Sequence, residues 1–105
     1  MPTIHDQLIL HEGFRTHPYL DSVGKWTIGV GRNLSDRGLS RDEVLALLDH
    51  DLAEVEARCA VYPWFAALDP IRRKVVLDLM FNLGPTRLAG FRQFLRAMAA
   101  AEYPS

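Results

Sequence analysis

Glu12 to Gly31 reads EGFRTHPYLDSVGKWTIGVG, and the fold follows from how this stretch breaks and turns. Gly24, Gly29 and Gly31 punctuate it, while Trp26, Thr27, Ile28 and Val30 are β-branched or aromatic residues suited to a pleated surface. A hairpin is the expectation. Just before it, Ile4, Leu8 and Ile9 recur at helical spacing, with Thr3 placed to cap the start and Gly13 to stop the helix. Glu12 therefore ends a helix of residues 3–12, where the helix dipole opposes a negative charge. Asp21 and Thr27 fall on a small sheet folded back over that helix.

Downstream the pattern is helical. Ser40 and Glu43 form an S-x-x-E capping box ahead of Val44, Leu47, Leu48, Leu52 and Val55, which predicts a long amphipathic helix from 41 to about 59 with these residues as its core stripe. Asp69 and Pro70 start another helix and Gly84 with Pro85 stops it. Its apolar face is Ile71, Val75, Val76, Leu79, Met80 and Leu83. Tyr62 to Leu68 reads as a connector packing Trp64 and Phe65 over that helix. A final helix is expected from Leu88 to Ala101, with a weak point at Gly90, carrying Phe91, Phe94, Leu95 and Met98. Part of that last face lacks a covering element, which predicts association or instability.

Composition narrows the classes. A chain of 105 residues, 49% hydrophobic and 24% charged, supports one small α+β domain. A net charge of −1, with no Lys/Arg run, gives no field for nucleic acid. The single cysteine, Cys59, excludes an internal disulfide; its place near the end of an apolar-periodic helix predicts a buried thiol and a reducing compartment. No signal-peptide pattern and no run long enough to cross a bilayer is visible. His5, His11, His17 and His50 lack a metal-ligand spacing, and no nucleotide-binding or nucleophile-elbow motif occurs, so no metal and no cofactor is expected. His11 points away from its neighbour Glu12 and reads as a surface histidine.

Two carboxylates and a hydroxyl near one hairpin suit glycosidic-bond cleavage. That chemistry needs one acid to protonate the leaving oxygen and a second carboxylate across the sugar to handle the water or the cation. On residue type alone, Glu12 and Asp21 read first as ordinary solvated acids, with Asp21 forming a turn and Thr27 filling a strand.

Glu12-Gly13, Tyr19, Asp21, Gly24 and the run T-I-G-V-G from Thr27 to Gly31 resemble, at fixed spacing, the catalytic signature of the phage-type lysozymes, glycoside hydrolase family 24, the family of T-even phage lysozyme. RNLSDRG, Arg32 to Gly38, is similar to the segment after the hairpin in many phage endolysins, and FNLG, Phe81 to Gly84, to their C-terminal lobe. Arg32 stands where some relatives carry histidine.

The resemblance implies a lysozyme-like α+β fold: a catalytic sheet-bearing lobe over 1–39, a linking helix over 40–60 and a partial helical lobe over 61–105, with a cleft between the lobes. Relatives run longer, so the helical lobe is expected to be incomplete, which leaves self-association through it open.

For function it implies hydrolysis of the β-1,4 bond between N-acetylmuramic acid and N-acetylglucosamine in bacterial peptidoglycan, and so host lysis. Glu12 would be the general acid, Asp21 would stabilise positive charge and direct the water, and Thr27 would hold that water. Asn33, Phe81 and Phe94 match saccharide-contacting positions. The enzyme would wait in the bacterial cytoplasm and reach the wall in the periplasm through a holin. A non-catalytic wall-binding or structural module and a lytic transglycosylase, which cleaves the same bond by internal attack, are the rival readings.

Overall fold

The computed structural model describes residues 1–101. Four helices and a three-stranded antiparallel sheet make it α+β, consistent with a lysozyme-like fold. The chain divides into two compact units, Met1–Val44 and the residues from Leu45 on, with the boundary inside the first turn of a helix.

In the first unit, α1 spans Ile4–Glu12. Thr3 Oγ1 accepts from Asp6 N at 3.1 Å and Asp6 Oδ2 accepts from Thr3 N at 3.1 Å, a reciprocal box that satisfies two of the helix's orphan amides. Gly13 ends the helix, its N–H donating to the Ile9 carbonyl at 2.8 Å. The strands follow in order β1 (Arg15–Leu20), β2 (Trp26–Gly29) and β3 (Arg32–Asn33), so β2 is central.

Tyr19 pairs with Thr27, and Thr27 in turn with Asn33, forming one row across the sheet. Leu20 pairs with Trp26 and Ile28 with Arg32, and by strand alternation these point to the opposite face. The β1–β2 register shifts between Arg15 and Tyr19, a segment containing Pro18, which has no N–H for the ladder. None of the apolar residues of this unit is buried.

The second unit carries the core. Here α2 spans Arg41–Cys59, α3 spans Pro70–Ala89 and α4 spans Arg92–Ala99, with a short 3-10 turn at Phe65–Ala67. Val55, Cys59, Phe65, Leu68, Val76, Met80, Leu88 and Met98 are buried together. Of the two connector aromatics expected over α3, Phe65 meets it, with the Arg73 guanidinium 4.5 Å from its ring, whereas Trp64 stacks on Tyr62 at 5.1 Å and meets Phe94 of α4 edge-on at 6.5 Å.

Three expectations need correction. The core stripe of α2 reduces to Val55 and Cys59, because Val44, Leu47, Leu48 and Leu52 are exposed. Ile71 and Val75 of α3 are also exposed, leaving Val76 and Met80 as its buried residues in the predicted face. The final helix starts at Arg92. Gly84 adopts φ 79°, breaking α3 before Pro85, so that Leu88 and Ala89 complete a short post-kink segment; Phe91, at φ −84° and ψ 68°, then leaves helical geometry. Among the described residues no helix is long and apolar enough to cross a membrane.

Candidate active site

The loop between β1 and β2 is built around one main-chain group. Asp21 Oδ1 accepts from Val23 N at 3.0 Å and Lys25 N at 2.8 Å, the pattern of an aspartate closing its own turn. The Lys25 carbonyl accepts from Asp21 N at 2.9 Å and from Thr27 Oγ1 at 3.0 Å. The Lys25 backbone therefore ties Asp21 to Thr27 from both its N–H and its C=O.

Thr27 is 4% exposed and is the one buried polar side chain among the described residues. With its proton directed at Lys25, the hydroxyl keeps its lone pairs as acceptors. Asp21 is half-buried, and its Oδ2 takes no hydrogen bond among the described residues. A carboxylate oxygen and a hydroxyl lone pair, both held by the main chain of the same residue, can receive the two O–H bonds of one water.

Glu12 reaches the hairpin at a different point. A Cβ built on Gly31 would fall 2.9 Å from Glu12 Oε2 and 3.3 Å from its Cδ and Cγ, so the carboxylate lies directly on the Gly31 main chain. Gly31 has φ +69°, a conformation that side chains disfavour, and glycine meets both demands at once. Glu12 is exposed. Helix α1 and the hairpin also share an apolar pocket of about 330 Å³ lined by His5, Leu8, Ile9, Phe14 and Val30.

Asn33, across from Thr27 in the register, uses its side chain to close the next turn. Its Nδ2 donates to Asp36 Oδ2 at 3.1 Å and its Oδ1 accepts from Asp36 N at 3.0 Å. Asp36 also bonds Lys25 Nζ at 3.1 Å; this contact, followed by that to Asn33, holds its carboxyl below the usual range.

In the helical unit, Phe81 is 46% exposed and lines a groove of about 360 Å³ with Leu48, Leu52, Lys74, Leu77 and Asp78. Phe94 packs against Trp64 beside the core. The first unit thus gathers Glu12, Asp21, Thr27 and Asn33 about one three-stranded sheet, and Phe81 and Phe94 stand on separate helices of the second. Among the described residues, His50 is the one histidine that joins a possible ligand group. It brings Nδ1 within 3.9 Å of Asp51 and 3.8 Å of Glu54 on the exposed face of α2.

Sequence reasoning missed the Lys25 clamp and the seat of Glu12 on Gly31. The clamp leaves no mark on residue type, since it uses only the backbone of position 25. Gly31 was visible as a hairpin glycine, but not as a contact. Arg32, which stands where some relatives carry histidine, forms a two-pronged ion pair with Glu43, Nη2 to Oε2 at 2.6 Å and Nη1 to Oε1 at 2.8 Å. Glu43 also accepts from Ser40 N at 2.9 Å, and the Arg32 contact, ahead of Ser40, brings its carboxyl from 4.5 to about 2.

A family model described as phage lysozyme matches residues 10–104, a span that includes every residue of this hairpin arrangement, so the chain belongs to the phage lysozyme family.

Proposed function

We propose that this chain is an endolysin of glycoside hydrolase family 24 that hydrolyses the β-1,4 bond between N-acetylmuramic acid and N-acetylglucosamine. Phage lysozymes are peptidoglycan-hydrolysing enzymes, and the reading concerns the bond, the residues and the course of the reaction. Glu12 delivers a proton to the glycosidic oxygen as the bond from that oxygen to the sugar C1 breaks. Asp21 Oδ2 faces the positive charge that develops at C1. A water on the opposite face donates one O–H to Thr27 Oγ1 and the other to Asp21 Oδ2, which leaves its lone pair for C1; its proton passes to Asp21 as the new C–O bond forms. Asn33, Phe81 and Phe94 contact the saccharide.

The observation that carries this reading is the Lys25 backbone, whose N–H and C=O bind Asp21 and Thr27 and take up the hydroxyl proton that would otherwise compete with the water. Attack from the face opposite the acid inverts the configuration at C1. The enzyme waits in the host cytoplasm, suited to its single buried cysteine, and meets the wall in the periplasm after a holin opens the membrane. Cell lysis follows from wall degradation. Self-association uses apolar residues that stay exposed on the helical unit, such as Ile71 and Val75.

Clearing of purified peptidoglycan tests the reading, with Glu12→Gln expected to cost at least about a hundredfold. New reducing ends of inverted configuration, seen by NMR, support hydrolysis as written. Anhydro-sugar ends would instead establish a lytic transglycosylase. Saturable binding without clearing by the folded wild-type chain would establish a wall-binding module.

A further inference from the structure

Position 32 faces away from the candidate site. Arg32 pairs with Ile28, on the sheet face opposite the row Tyr19, Thr27 and Asn33, so its guanidinium does not join them. It is nevertheless the residue directly after Gly31, on whose main chain the Glu12 carboxylate lies.

Its side chain is anchored at several atoms. Both terminal nitrogens engage Glu43, and Nη1 also approaches the Gly38 carbonyl at 3.4 Å. Glu43 is fixed in turn by the start of α2, where its Oε1 accepts from Ser40 N and its own N–H donates to Ser40 Oγ at 3.1 Å. A continuous connection runs from the first turn of α2 through Glu43 and Arg32 to Gly31 and Glu12.

An exposed ion pair of ordinary geometry does little. This one is bidentate, short and partly shielded, with the Arg32 side chain 23% exposed. Its surroundings raise its importance, because the unit buries no apolar residue whose packing would hold this corner of the hairpin.

We propose that Arg32 and Glu43 are positioning residues for Glu12, their two-pronged ion pair fixing the Gly31 main chain on which the carboxylate rests. The proposal rests on reading Glu12 as the general acid. A guanidinium is required because only its planar fork meets both carboxylate oxygens; a lysine supplies the charge without the geometry.

The test compares wild type, Arg32→Met, Arg32→Lys and Glu43→Gln on solubilised glycan strands. Arg72→Met, which removes the Asp69 ion pair in the helical unit, serves as control. Apparent kcat and KM are measured below the unfolding range, and the carbon resonance of the Glu12 carboxyl is recorded for each folded variant. Arg32→Met and Glu43→Gln are expected to lower kcat about tenfold, to leave KM within about twofold and to displace the Glu12 resonance. Arg32→Lys should fall between, and Arg72→Met should change neither reading.

Folded variants with wild-type kcat and an unmoved Glu12 resonance overturn the proposal. If Arg32→Met does not fold, Arg32→Lys carries the same comparison. If Glu12→Gln clears as well as wild type, the assignment of Glu12 as the acid fails instead. The resonance alone then decides whether the ion pair positions that carboxyl.

Discussion

Replacing Gly31 by alanine separates two costs that the structure superposes. The first is backbone strain: φ is +69°, and a non-glycine residue in the left-handed region costs roughly 1–2 kcal/mol. The second is displacement, because the new Cβ would stand 2.9 Å from Glu12 Oε2, inside van der Waals contact. The carboxylate is the end of a flexible side chain, so it swings away by about an ångström while the backbone stays. A shift of that size in a reacting group costs about a hundredfold in rate.

Gly29 supplies the control. Its φ is +68°, and a Cβ built there meets nothing within 4 Å. Gly29→Ala should therefore share the strain and lack the displacement. Thermal unfolding by circular dichroism should show both variants melting several degrees below wild type, since 1 kcal/mol corresponds to about 4–8 °C in a domain of this size. Peptidoglycan clearing below both melting ranges should fall about a hundredfold in Gly31→Ala and less than about threefold in Gly29→Ala. Equal losses in the two variants would refute the contact argument and attribute the whole effect to the backbone.

Three other outcomes follow from single observations. Glu43 ionises in the folded chain near 2 against an ordinary 4.5, so its contribution to stability is present above pH 4.5 and is lost as pH falls from there towards 2; an acid titration of the melting temperature should lose part of its slope in Glu43→Gln. Cys59 is fully buried and desolvation pushes its thiol up, so a thiol reagent should label the native chain slowly and the urea-unfolded chain at once. Met80, 1% exposed at the centre of the helical core, should cost about 2–5 kcal/mol when cut to alanine, read as a lower urea midpoint.

What the sequence disclosed and what it withheld divide along a physical line. The caps at Thr3 and at Ser40 with Glu43, the start at Asp69 and the break at Gly84 are local signals, each a side chain or glycine acting on its own backbone, and all appear where residue type placed them. The α2 stripe is a statement about neighbours, and periodicity cannot say whether a neighbour exists; Leu47 and Leu48 have helical spacing and remain exposed. In the hairpin, Glu12, Asp21 and Thr27 stood out as chemistry-bearing residues, and residue type alone favoured a turn-forming role for Asp21. Both descriptions apply to the same carboxylate, since Oδ1 serves the turn and Oδ2 takes no hydrogen bond among the described residues. The Lys25 clamp was illegible because any residue but proline can supply an N–H and a carbonyl.

The two units are stabilised by different physics, and the difference bears on function. The helical unit has an apolar core, whose contribution is not screened by salt and does not titrate in the neutral range. The hairpin unit is ordered by an aspartate turn, two capping boxes, the Lys25–Asp36 contact and the Arg32–Glu43 pair, all polar and all at least partly solvated. Such contacts are individually modest and weaken with salt or acid. The candidate site therefore sits where stability is most conditional. Moderate acid or high ionic strength should loosen the seat of Glu12 before it melts the helical core, so activity and near-ultraviolet signals from Trp26 should decline ahead of those from Trp64. Coincident loss of both signals would mean that the hairpin is held by more than its polar contacts.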